Sequence, residues 1–139
     1  MPGPFSPPQF PLGQAPTFDM GTLIPAVAAT TTQQSADYYA QNFKGITVVL
    51  DVTSIGTASL TVSIQGKDSV TGKYFTLLAS SAITANGTTA HIVYPGITPA
   101  TGANANTAVS TILPAAFRVV VTAGNGNPAT YTVGAVLTT

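Results

Sequence analysis

From residue 43 onward, hydrophobic and polar positions alternate with a period of two. Ile46, Val48, Leu50 and Val52 alternate with Thr47, Val49, Asp51 and Thr53, and Leu60, Val62 and Ile64 alternate with Thr61, Ser63 and Gln65. Phe75, Leu77 and Ala79 oppose Tyr74, Thr76 and Leu78, while Ala90, Ile92 and Tyr94 oppose His91 and Val93. Phe117, Val119 and Val121 oppose Arg118, Val120 and Thr122, and Tyr131, Val133, Ala135 and Leu137 oppose Thr132, Gly134 and Thr138. Successive side chains of a strand point to opposite faces, so each run predicts a strand with one face on a core and one face outward. β-Branched residues dominate the runs, as suits a pleated surface. No stretch carries a helical period, and no tandem repeat is evident.

The runs are separated by turn-forming residues. Ile55-Gly56-Thr57, Asp68-Ser69-Val70-Thr71-Gly72, Asn86-Gly87 and Asn125-Gly126-Asn127-Pro128 each mark a tight connection. Asn86-Gly87 has the chemistry of a hairpin turn, and short links imply antiparallel neighbours. The long connection from Pro95 to Pro114 is expected to cross between sheets. Together these features predict an all-β fold, an antiparallel two-sheet β-sandwich of jelly-roll or Ig-like topology. The sequence leaves that choice of topology open.

Upstream the pattern changes. Pro2, Pro4, Pro7, Pro8, Pro11 and Pro16 punctuate the start of the chain. Proline has no N–H for a ladder and holds its predecessor extended, so residues 1–22 are expected to form an extended Pro-rich arm, with the sandwich domain covering 23–139. Twenty residues fully stretched reach on the order of 65 Å. Leu23 to Val27 read as a short edge strand, because Pro25 bars a central position. Residues 30–35 read as a loop, and Asp37 to Asn42 as the start of the first full strand. The arm carries Phe5, Phe10, Leu12, Phe18 and Met20 but only one charge, Asp19, which is unlike a solvated spacer. Phe5, Phe10, Leu12 and Phe18, with Tyr38 and Tyr39, are the expected interface residues.

Charge sharpens this picture. Charged residues make up 6% of the chain, against about 25% in ordinary soluble domains, and the formal net charge is zero. Lys44, Lys67, Lys73 and Arg118 balance Asp19, Asp37, Asp51 and Asp68, and there is no Glu. Low charge removes the usual guard against association, which points to a surface covered by neighbours. Four scattered cations form no basic patch, so no nucleic-acid partner is expected. No apolar run is long enough to span a bilayer, so no membrane partner is expected. The start lacks a basic and then apolar leader, and the expected site of synthesis is the cytoplasm.

Candidate chemistry is sparse. The chain has one histidine and no cysteine, which excludes disulfides and thiolate metal sites. His91 lies opposite the apolar row of its strand and is expected to face outward. Asp51 and Asp68 are the carboxylates within the body, and Asp68 reads as a turn former. No catalytic residue, cofactor site or metal site is assigned, and the protein is expected not to be an enzyme. The five tyrosines are spread over separate strands and read as packing residues rather than a sugar platform.

The stretch Ser59-Leu60-Thr61-Val62-Ser63-Ile64-Gln65-Gly66-Lys67-Asp68, then Thr71-Gly72-Lys73-Tyr74-Phe75-Thr76-Leu77-Leu78, has a familiar form. So do Val93-Tyr94-Pro95-Gly96, Leu113-Pro114 leading into Phe117-Arg118-Val119, and the closing Tyr131-Thr132-Val133-Gly134-Ala135. Over about residues 43–138 the chain resembles small β-sandwich virion structural proteins of tailed bacteriophages, of the capsid decoration or cement type. That resemblance implies a place on the capsid surface, the major capsid protein or other virion proteins as partners, and a homo-oligomer, dimer or trimer. A tail, neck or baseplate component is the alternative, and a carbohydrate-binding sandwich for host attachment is a second.

Overall fold

The computed structural model describes residues 17–40 and 42–139. The expected arm residues Phe5, Phe10 and Leu12 lie outside them. Ten strands follow in order: β1 (Thr17–Ala29), β2 (Gln33–Gln34), β3 (Tyr38–Tyr39), β4 (Gly45–Ser54), β5 (Leu60–Lys67), β6 (Tyr74–Ala79), β7 (Gly87–Val93), β8 (Thr107–Val109), β9 (Ala116–Ala123) and β10 (Ala129–Thr138). One sheet has the order β1-β10-β4-β7-β8, and the other has β2-β9-β5-β6 with β3 also paired to β9. The two pack face to face as a β-sandwich, and no described residue is helical.

The pairing is nested, first strand with last. β1 pairs with β10, β2 and β3 with β9, β4 with β7, and β5 with β6. With β2 and β3 taken as one interrupted strand, this is a hairpin of the whole chain rolled into two sheets, the jelly-roll topology. β8 is an addition that lies parallel to β7 at the sheet edge.

The inward rows form one core. Ile46, Val48, Leu50 and Val52 of β4 and Tyr131, Val133, Ala135 and Leu137 of β10 meet Leu60, Val62 and Ile64 of β5 and Phe117, Val119 and Val121 of β9. Each full burial of such a side chain contributes about 1.5–3 kcal/mol.

Several connections differ from expectation. Only the Asp68–Gly72 link joins neighbours as a hairpin among the four tight turns; the links after β4, β6 and β9 carry the chain from one sheet to the other. A short loop bridges a sandwich edge as readily as it closes a hairpin. Asn86 accordingly serves a different role: its Oδ1 accepts the Ile55 N–H at 2.8 Å, tying two crossover loops together. Tyr38–Tyr39 form a separate short strand on β9, and the first long strand of the body after it starts at Gly45.

The expected arm boundary at residue 22 is not a break. Thr17–Ala29 run as one edge strand along β10, with register shifts at Asp19/Gly21, Thr22/Ile24 and Ile24/Val27. Gly21 takes a φ of +71° at the first shift, and its N–H binds Asp19 Oδ1 at 2.8 Å. Pro25 falls within the last shift. Proline and bulges at an edge discourage further strand pairing.

Two strands show the opposite face to the one expected. In β7 the buried residues are His91 and Val93, and in β6 it is Leu78 that enters the core while Phe75 is exposed. A shift of one position exchanges the faces of a strand. In β6 a register irregularity between Ile64 and Gln65 of its partner accompanies the change.

Candidate functional site

One end of the sandwich gathers the start of β1, the start of β4, the end of β10 and the β3 segment. Register fixes this: Thr17 and Gly45 both pair with Thr138, and Tyr39 pairs with Ala116. The crossing from β3 to β4 is held by Phe43 N–H to Ala40 O at 3.0 Å and Lys44 N–H to Thr138 O at 2.9 Å. The result is a cleft of about 290 Å³ lined by Phe18, Met20, Asp37, Tyr38, Tyr39, Phe43 and Leu137. Phe18 and Phe43 face each other with centroids 6.3 Å apart, and Tyr38 packs on Phe117 at 6.1 Å.

Three of the expected interface residues, Phe18, Tyr38 and Tyr39, thus converge here. Met20, Asp37, Phe43 and Leu137 were not among them. Leu137 is brought here by its pairing with Phe18 and Phe43 by the crossing from β3 to β4, neither of which a local pattern announces.

Tyr39 is 69% exposed and forms the ridge to a second cleft of about 520 Å³, bounded by Lys67, the 68–72 hairpin and Ala116. In that hairpin, Asp68 accepts hydrogen bonds from Thr71 Oγ1 at 2.7 Å, Thr71 N–H at 3.2 Å and Val70 N–H at 3.3 Å. These bonds, the Thr71 hydroxyl first, hold its carboxyl below the usual range. The turn former expected from sequence is realised.

A polar network behind the clefts fixes β3. Lys67 Nζ lies 2.9 Å from Asp37 Oδ2, and the Tyr74 hydroxyl donates to the same carboxylate at 2.8 Å. Those two contacts lower the Asp37 pKa, and the Asp37 bond raises that of Lys67. The Arg118 guanidinium sits 3.5 Å above the Tyr74 ring and donates to Gln65 at 2.8 Å and Gln34 at 3.0 Å. Both oxygens of Asp37 are engaged by these neighbours. The network ties the segment that carries Tyr38 and Tyr39 to β5 and β6.

Exposed apolar side chains are concentrated at this end. Phe18, Tyr39, Val70, Phe75 and Ile112 are the exposed large hydrophobic residues among those described, and all lie on strand starts, strand ends or loops of this half. Asp19, Asp37, Lys44, Lys67, Asp68, Lys73 and Arg118 belong to the same half by position in their strands. Asp51, farther along β4, lies toward the other half and accepts a bond from Thr88 Oγ1 at 3.1 Å. The opposite end is built from uncharged loops such as Gly56-Thr57 and Asn125-Gly126-Asn127.

His91 does not face outward as expected. It is fully buried: Nε2 is 2.8 Å from Thr89 Oγ1 and Nδ1 is 2.7 Å from Thr107 Oγ1. The register with β4 sets His91 opposite Val48 and Val93 opposite Ile46, both members of the core row, so the ring points into the sandwich, where Thr107 of the neighbouring β8 bonds it. Burial pushes its pKa down to about 4. The ring is bonded to hydroxyls, not to a carboxylate, and acts as a brace between β7 and β8. Among the described residues no cluster of three or more His, Cys, Asp or Glu is placed to hold a metal ion.

No protein family, curated protein or solved structure matches this chain in sequence or fold.

Proposed function

We propose that this chain is a virion structural protein of a tailed phage, a capsid decoration or cement protein that binds the lattice of the major capsid protein and stabilises the head. The observation that carries the reading is the division of the surface: exposed aromatics and most charges share one end, and the Pro-rich segment joins the body there at Thr17. Exposed apolar patches of this kind mark interaction surfaces. The low charge of the whole chain and the resemblance over residues 43–138 support the same address. In this reading the aromatic end faces the shell. The rigid jelly roll stands on it, and many symmetry-related copies add small contacts into a strong one.

The test is reconstitution of the full chain with heads that lack it. Wild-type protein is expected to bind in hundreds of copies and to raise the temperature of head disruption. Tyr39→Ser with Phe18→Ser is expected to abolish both effects while leaving the fold intact by circular dichroism. Binding in only a few copies at the neck or tail would move the protein to that address, and absence of binding to any particle would overturn the proposal.

The exposed Tyr39 ring beside an open polar cleft favours one second reading, a carbohydrate-binding sandwich for host attachment. Glycan binding by the purified protein that is lost in Tyr39→Ser would support it.

A further inference from the structure

The aromatic cleft and the start of the chain have matching chemistry. Residues 1–16 contain no charged side chain, and within them Pro4-Phe5-Ser6-Pro7 and Pro8-Gln9-Phe10-Pro11 are consecutive Pro-x-x-Pro repeats, each with a phenylalanine inside. Pro-x-x-Pro segments are recognised by grooves lined with aromatic rings, because a preformed extended ligand loses little entropy on docking. The cleft of Phe18, Tyr38, Tyr39 and Phe43 is such a groove, of about 290 Å³, and its walls are pre-set. Tyr38 packs on Phe117, and the backbone of β3 is fixed to β9. Beyond the groove, Tyr39 continues as a ridge toward Val70, which gives an extended ligand a path.

We infer that the groove receives the Pro4–Pro11 segment of a neighbouring copy of this chain, so that copies are linked arm into groove. The place where the segment joins the body argues for a neighbour. It meets β1 at Thr17, on the rim of the groove that Phe18 itself lines. To fill its own groove the chain must reverse within the four residues between Pro11 and Pro16, of which Ala15 is disfavoured in a turn by the proline that follows it. A copy alongside needs no reversal. Sixteen residues at the polyproline rise reach about 50 Å, farther than the roughly 33 Å length of a ten-residue strand such as β4. The inference deepens the assembly reading by naming what fills the groove, and its readout in purified protein needs no phage particle, so either can fail without the other.

The absence of cysteine from the sequence makes the test direct. Chains carrying Gln9→Cys and chains carrying Lys44→Cys, next to Phe43 in the sequence, are mixed and oxidised gently, with Gln9→Cys mixed with Thr57→Cys as the control at the opposite end. These substitutions leave the rings of the groove and the phenylalanines of the segment in place. Lys44 and Thr57 are both exposed, so the fold is expected to tolerate the substitutions, and thermal melts check this. The expected result is a disulfide-linked heterodimer several-fold more abundant for the Lys44 pair than for the Thr57 pair. It should be lost when Pro8→Ala and Pro11→Ala are added. Equal yields in the two mixtures would overturn the inference. So would a chain carrying both Gln9→Cys and Lys44→Cys that closes on itself as a monomer at every concentration.

Discussion

At the scale of the residue, the sharpest features are two polar groups set in the core. His91 is held neutral by burial, with a pKa of about 4 against 6.5 for the free side chain. Between pH 6.5 and 4 the unfolded chain binds a proton that the folded chain refuses, so stability falls as pH drops through that window and is unaffected by His91 above it. The full loss amounts to about 3 kcal/mol. Asp37 and Asp68, both held below their usual range, act only at lower pH, where their contribution is lost. Urea unfolding at pH 7 and pH 4.5 is expected to show the drop in the wild type, and His91→Asn is expected to flatten it. Tyr131 is the second group: its ring is buried and its hydroxyl has no hydrogen-bond partner. An orphaned buried hydroxyl costs on the order of 1–3 kcal/mol. Tyr131→Phe is therefore expected to leave the melting temperature unchanged or raise it, which calorimetry can read. Neither feature is legible in sequence. His91 sits in a run whose two faces are both largely apolar, so alternation alone assigns it the wrong side, and nothing local announces that pairing with β4 will set it opposite Val48.

At the scale of the element, legibility follows the steepness of the alternation. β4, β5, β9 and β10 show their inward rows plainly, and these residues are the buried ones. β6 and β7 do not, because Tyr74–Ala79 and Ala90–Tyr94 carry large apolar side chains at consecutive positions. The turn residues mark the ends of strands correctly, yet say nothing about whether the next strand lies beside the last or across the core. For the site, the concentration of aromatics at Phe18, Tyr38 and Tyr39 is visible in sequence, whereas the polar network beside them is not. Gln34, Gln65, Tyr74 and Arg118 come from four separate strands or links. Arg118→Ala is expected to loosen this network without unfolding the body. A cation–π contact is worth about 1 kcal/mol, or roughly a fivefold change in an opening equilibrium. Hydrogen exchange at Ser35 and Ala40, whose amides bond to Val119 and Ala115, should quicken by about that factor, while the melting temperature barely moves.

At the scale of the whole molecule, nested pairing makes the fold depend on its extremes. β1 and β10 must find each other across more than a hundred residues, and contacts of that separation make folding slow. Deleting residues 17–29 would uncover one edge of the sheet and is expected to prevent folding, because β1 supplies the whole pairing along β10 among the described residues other than that of β4. The same pairing sets Thr17 against Thr138 and so brings the last residues to the aromatic end. This has a practical meaning for any attempt to use the protein as a display scaffold. A peptide or fluorescent tag appended after Thr139 would emerge beside Phe18, on the surface proposed above to face neighbours. A cargo inserted at Gly126, on the uncharged tip opposite, would point away from it. Under that proposal, tagging at Gly126 is expected to preserve particle binding and tagging after Thr139 to lower it, a difference that a pull-down with heads would measure directly.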